Sequence, residues 1–149
     1  MDTLRVLITD DEPGIRLAAK RSLRGLSIDI PDVEKTVELH VEEAESGEAA
    51  VEKILVDPPD ILLLDYKMPG ISGLDVLDRI CAMDHMPLTI MITAYASIET
   101  AVTATKRGAH DFLPKPFTPT ELKAVVRSTT VLGPIPPSRL TPRISRSPI

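Results

Sequence analysis

At 149 residues the chain has room for one ordinary domain of roughly 100 to 150 residues and a tail. Hydrophobic residues make up 43% of it, enough for a full core, and with no Trp, two Tyr and two Phe that core must be built from Leu, Ile, Val and Ala. A net charge of −5 and so few aromatics argue against direct nucleic-acid binding or attraction to anionic membranes, and one cysteine excludes an internal disulfide and a Cys-based zinc site. No apolar run approaches the roughly 20 residues of a membrane span, and the opening MDTLRVLITDDE lacks the order of a signal peptide, so a cytoplasmic protein is expected.

Short apolar runs alternate with helical patterns along the chain. RVLIT (5–9) reads as the first strand and is followed by a helical run at 13–26. SIDIPDVEKT (27–36) is a longer connection than usual and is expected to be an extra turn or a mobile loop. VELHV (37–41) is a second strand, with a helix over 46–57. DILLL (60–64) and LTIMIT (88–93) are apolar on both faces, as strands covered by helices on each side are, and helices at 72–83 and 97–108 follow them. HDFL (110–113) and a helix at 118–128 close the set.

Punctuation supports these limits. Ser72 with Asp75 and Thr118 with Glu121 match capping boxes, Pro119 takes the tolerated first helical position, and Gly25 and Gly108 sit where helices should stop. Five strand-then-helix repeats imply right-handed crossovers and a doubly wound α/β domain over residues 1–128. Charge is uneven: residues 1–127 hold 14 cations against 22 acids, whereas residues 128–149 hold three Arg, five Pro and no acid. Residues 129–149 are expected to be a disordered tail or a truncated linker.

In doubly wound sheets ligands bind beyond the carboxyl ends of the strands, where strand order reverses. That rule selects Asp10 and Asp11 after the first strand, Asp65 after the third, Thr93 after the fourth and Lys115 after the fifth. Two unit charges 4 Å apart repel by roughly 4 kcal/mol at an effective dielectric of 20, so converging carboxylates need a neutralising partner. All-oxygen ligation suits Mg2+. Taken singly, Asp10 or Asp11 could merely cap the helix opening at Pro13.

The ordered set DD (10–11), LLLDYKMPGISG (62–73), TAY (93–95) and LPKPF (113–117) resembles the receiver domain of two-component response regulators. The resemblance covers residues 4–127 and implies a flavodoxin-like fold, with a five-stranded parallel sheet in the order 2-1-3-4-5 and five helices. It implies that Asp65 is the phosphoacceptor and that Asp10, Asp11 and the backbone carbonyl of Lys67 hold Mg2+ beside it. Thr93 becomes the hydroxyl that senses the phosphoryl group, Lys115 its positive clamp and Phe112 the switch aromatic. The resemblance also implies a cis bond between Lys115 and Pro116, which would aim the ammonium inward. The implied partner is a sensor histidine kinase or phosphotransfer protein, and the output surface, a possible homodimer face, is helix 97–108 with strand 110–113 and helix 118–128. Lys67 and Tyr95 take positions that tune phosphate lifetime in this family, and their bulk is expected to slow hydrolysis.

Two other classes compete with this signalling module. An aspartyl-phosphate phosphatase of the haloacid-dehalogenase kind needs its two acids two residues apart on the first strand, whereas Asp10 and Asp11 are adjacent. A constitutive, phosphate-independent interaction module would have no use for the full set of Asp10, Asp11, Asp65, Thr93 and Lys115. Cys81 falls on a helical stripe with Leu74, Leu77 and Ile80 and is expected to be a buried structural thiol. Asp111 and Arg127 could pair across the output face. With the first strand starting near Met1, the domain is expected to stand at the front of its chain.

Overall fold

A computed structural model describes residues 2–30 and 35–132. The elements in chain order are β1 (Asp2–Thr9), α1 (Pro13–Leu23), β2 (Ser27–Ile30), β3 (Lys35–Ala44), α2 (Gly47–Val56), β4 (Ile61–Asp65), α3 (Gly73–Ile80), β5 (Leu88–Thr93), α4 (Ile98–Lys106), β6 (Asp111–Pro114) and α5 (Pro119–Leu132). They form one six-stranded sheet in the order β2-β3-β1-β4-β5-β6, with every pair parallel except β2 with β3. The five predicted strands are present in the predicted order. Alternate residues of each strand face opposite sides, so β1 sends Leu4, Val6 and Ile8 toward α1 and α5, and Leu7 toward α2 and α3. Every residue of β4 and β5 is buried, which accounts for their unbroken apolar runs.

The sequence-read caps hold. Ser72 and Asp75 exchange side-chain and backbone hydrogen bonds at the start of α3, and Thr118 and Glu121 do the same ahead of α5. Gly25 and Gly108 both adopt the left-handed backbone that stops a helix, with φ of 73° and 109°.

Four expectations are corrected. Ser27–Ile30 is a strand rather than a turn or loop: Ile28 and Ile30 are buried, Ser27 and Asp29 exposed, and the segment pairs antiparallel with residues 35–38 of β3. Its two-residue alternation hides beside Pro31; residues 31–34 lie outside those described. Helix α5 continues past 128 to Leu132, where Thr129 and Thr130 are buried and Thr129 donates to Asp111 Oδ2 at 3.2 Å. Residues 133–149, the rest of the expected tail, are not among those described. Cys81 is exposed: α3 ends at Ile80, its buried stripe is Gly73, Val76, Leu77 and Ile80, and Cys81 turns outward at the cap with Sγ on the Asp78 carbonyl. Asp111 takes the Thr129 hydroxyl, and among the described residues no ion pair joins it to Arg127.

Candidate functional site

Strand order reverses between β1, which has β3 and β2 on its outer side, and β4, which starts the other half of the sheet. The register sets Thr9 beside Leu64, so the next residues, Asp10 and Asp65, leave adjacent strands side by side at the reversal. Asp10 is fully buried and Asp65 nearly so, while Asp11 is exposed at the rim. One carboxylate oxygen from each lies within 4.8 Å of the other two.

Lys115 closes the pocket from the β6 side. Its backbone N–H donates to the Thr93 carbonyl at 2.8 Å, which fixes the loop after β6 on the end of β5, and the Lys115–Pro116 peptide is cis as expected. The ammonium sits 2.7 Å from Asp10 Oδ2, 3.4 Å from Asp65 Oδ2 and 3.8 Å from Glu12 Oε1. One cation thus faces three buried or rim acids besides Asp11. Burial pushes the Asp65 carboxyl up, the Asp10 charge adds to it, and Lys115 only partly offsets them, leaving its pKa at about 6. Burial pulls the Lys115 ammonium down, but Asp10, Asp65 and Glu12 outweigh it and hold it above the ordinary lysine value.

The donor set fits a hard divalent cation. It is all oxygen and carries excess negative charge, with the Lys115 ammonium 2.7 Å from the buried Asp10 Oδ2. An open cleft of about 450 Å³ leads to the pocket, lined by Asp11, Glu12, Asp65, Lys67, Tyr95 and Lys115 among others.

Thr93 is fully buried at the end of β5, and its hydroxyl accepts the Tyr95 backbone N–H at 2.9 Å. Tyr95 is half exposed, and the Lys67 ammonium stands 5.0 Å above its ring centre, so the two large side chains meet at the cleft. Phe112 on β6 is partly buried against the α2–α3–α4 side of the core. Of the residues singled out in the sequence, Asp11, Asp65, Lys67, Tyr95 and Lys115 line the cleft, whereas Asp10 is buried against Lys115 and Thr93 is buried at the end of β5. Phe112 lies apart from the carboxylates, on the strand that leads to Lys115.

Three contributors escape the sequence reading. Glu12 reaches Lys115 from the rim. Gly73 brings the start of α3 against the phosphoacceptor candidate: a Cβ there would lie 2.3 Å from the Asp65 carbonyl oxygen. Arg16 holds the Asp10 carbonyl. A small residue just after a capping serine is a signal that could have flagged Gly73; nothing local marks Arg16.

The fold and pocket together define a flavodoxin-like α/β protein with an acidic, cation-competent site at its topological switch point. A family profile for the response regulator receiver domain matches residues 6–127, and the chain belongs to that family. It is 34% identical over 119 residues to the DNA-binding transcriptional regulator NtrC of Klebsiella pneumoniae, covering 80% of this chain and 23% of that protein. It is 36% identical over 127 residues to the response regulator MprA of Mycobacterium ulcerans, covering 85% of this chain and 50% of that one. The CheY-like response regulator receiver domain protein of Methanospirillum hungatei superposes with a TM-score of 0.69 at 27% identity, covering 85% of this chain and 93% of that one. The chain spans at most about half the length of these two full-length relatives.

Proposed function

We propose that this receiver domain accepts a phosphoryl group on Asp65 from the phosphohistidine of a sensor histidine kinase or phosphotransfer protein, with Mg2+ bound. The carrying observation is the Lys115 ammonium set 2.7 Å from Asp10 and 3.4 Å from Asp65 at a pocket with three convergent carboxylates. An oxygen of Asp65 attacks phosphorus, the phosphorus–nitrogen bond to imidazole breaks, and an acyl phosphate results. Phosphoryl transfer needs positioning and charge neutralisation more than covalent chemistry, and Lys115 supplies one positive group from the β6 side. Asp10, Asp11, Asp65 and the Lys67 carbonyl would hold Mg2+, which supplies the second positive charge on the phosphoryl oxygens. Such a domain is a signalling module that assists its own phosphorylation and dephosphorylation, not a turnover enzyme.

The readout we assign to the face of α4, β6 and α5. Thr93 can exchange its present hydrogen bond from Tyr95 for one to a phosphoryl oxygen, moving the β5–α4 loop, and Phe112 on β6 adjusts to the new space. Ile98 and Val102 on α4 are exposed, which suits a homodimer or partner contact on that face. No helix among the described residues is long and apolar enough to cross a membrane. The test is phosphoryl uptake from acetyl phosphate, followed on a phosphate-affinity gel. Wild type is expected to shift with Mg2+ and stay unshifted in EDTA; a shift that persists in EDTA would contradict the proposal.

A further inference from the structure

We infer, on the reading of this pocket as a Mg2+-dependent phosphoacceptor site, that Arg16 is a positioning residue which sets the Asp10 carboxylate for the metal. Arg16 stands in the first turn of α1, and its side chain is only 13% exposed although it ends in a charge. Its Nη1 donates to the Asp10 backbone carbonyl at 2.7 Å, and its Nε donates to Glu43 Oε1 at 3.2 Å. The guanidinium therefore bridges the β1–α1 loop to β3, using the planar fork that distinguishes arginine from lysine.

Glu43 is itself held. It pairs in register with Ile8 of β1, its second carboxylate oxygen is 3.5 Å from Lys20, and the Lys53 ammonium donates to its backbone carbonyl. The anchor at the far end of the bridge is thus part of the sheet.

The remaining polar atoms of Asp10 show what the bridge accomplishes. The Asp10 N–H donates to the Ala44 carbonyl at 3.2 Å, and Oδ1 accepts the Glu12 N–H at 2.9 Å. With the carbonyl taken by Arg16, every polar atom of Asp10 except Oδ2 is bonded to the backbone of neighbouring segments or to Arg16. Oδ2 instead meets the Lys115 ammonium at 2.7 Å, in the group of three convergent carboxylates. Arg16 grips the peptide rather than the carboxylate, so it fixes the direction of Oδ2 without competing with a metal for it. Groups that orient metal ligands in this way commonly contribute tenfold or more to metal affinity.

Calorimetric titration of the whole chain with Mg2+ tests the assignment. Arg16→Met is expected to bind Mg2+ about tenfold more weakly than wild type while keeping a cooperative thermal transition in EDTA. Glu43→Gln, which leaves Arg16 in place but removes the charge it leans on, is expected to lose affinity in the same direction by a smaller factor, and it carries the test if Arg16→Met does not fold. In an Asp10→Asn background, Arg16→Met should change Mg2+ affinity no further, an outcome that a merely structural arginine would not produce. Wild-type affinity in both single variants, or a lowered metal-free stability with affinity unchanged, would overturn the assignment. A wild-type chain that takes up no Mg2+ would instead overturn the reading of the pocket, and the role of Arg16 with it.

Discussion

Replacing Asp65 by Asn should stabilise the metal-free protein at neutral pH, although it removes the residue on which the proposed chemistry depends. Asp65 is buried beside Asp10, and its pKa stands at about 6 against an ordinary 3.8. A carboxyl whose folded pKa lies above its unfolded value takes up a proton on folding between the two. Its contribution is full below about pH 4 and is lost as pH rises through about 6. Two units at about 1.4 kcal/mol each put the cost of the ionised side chain near 3 kcal/mol at pH 7.5, falling to about 1 kcal/mol at pH 4.5. Asn keeps the shape and an oxygen for Lys115 without the charge. Thermal melts in EDTA should therefore place Asp65→Asn roughly 5 to 10 °C above wild type at pH 7.5, with the gap closing at pH 4.5. Saturating Mg2+ should raise wild type far more than the variant. A variant no more stable than wild type at pH 7.5, or a gap independent of pH, would refute the reasoning.

Lys115→Met leaves Asp10 and Asp65 facing each other without their shared cation, and urea unfolding in EDTA at pH 7.5 should show a loss of about 3 kcal/mol. Gly73→Ala puts a methyl 2.3 Å from the Asp65 carbonyl oxygen, and it should cost about 2 kcal/mol in the same assay and slow phosphoryl uptake from acetyl phosphate. Tyr95→Ala opens the cleft beside Lys67 and should hasten loss of the phosphoryl group after removal of the donor; an unchanged decay rate would remove Tyr95 from the account.

The fold was legible because its strands are long apolar runs and its helices carry explicit punctuation. The site was legible for a related reason: topology alone delivers the residues that follow β1, β4, β5 and β6 to one edge. What escaped depended on contacts distant in sequence. Ser27–Ile30 is too short to declare itself before its pairing with β3 is known. The last turn of α5, rich in β-branched Thr and Val, has weak helical preference and is held by Thr129 on Asp111, 18 residues away. Cys81 was misplaced because a stripe counted from Leu74 runs one residue past the end of the helix. Arg16 gave no sign, since its partners are the adjoining loop's backbone and a glutamate on β3 that only the sheet register brings near.

The central claim is that the carboxylate at position 65 receives phosphate. Intact mass of the full chain after incubation with acetyl phosphate and Mg2+ measures this most directly. Wild type should gain the mass of one phosphoryl group and lose it on treatment with hydroxylamine, which cleaves acyl phosphates, while Asp65→Asn should gain nothing. An unmodified wild type, or an adduct of equal yield on Asp65→Asn, would contradict the account.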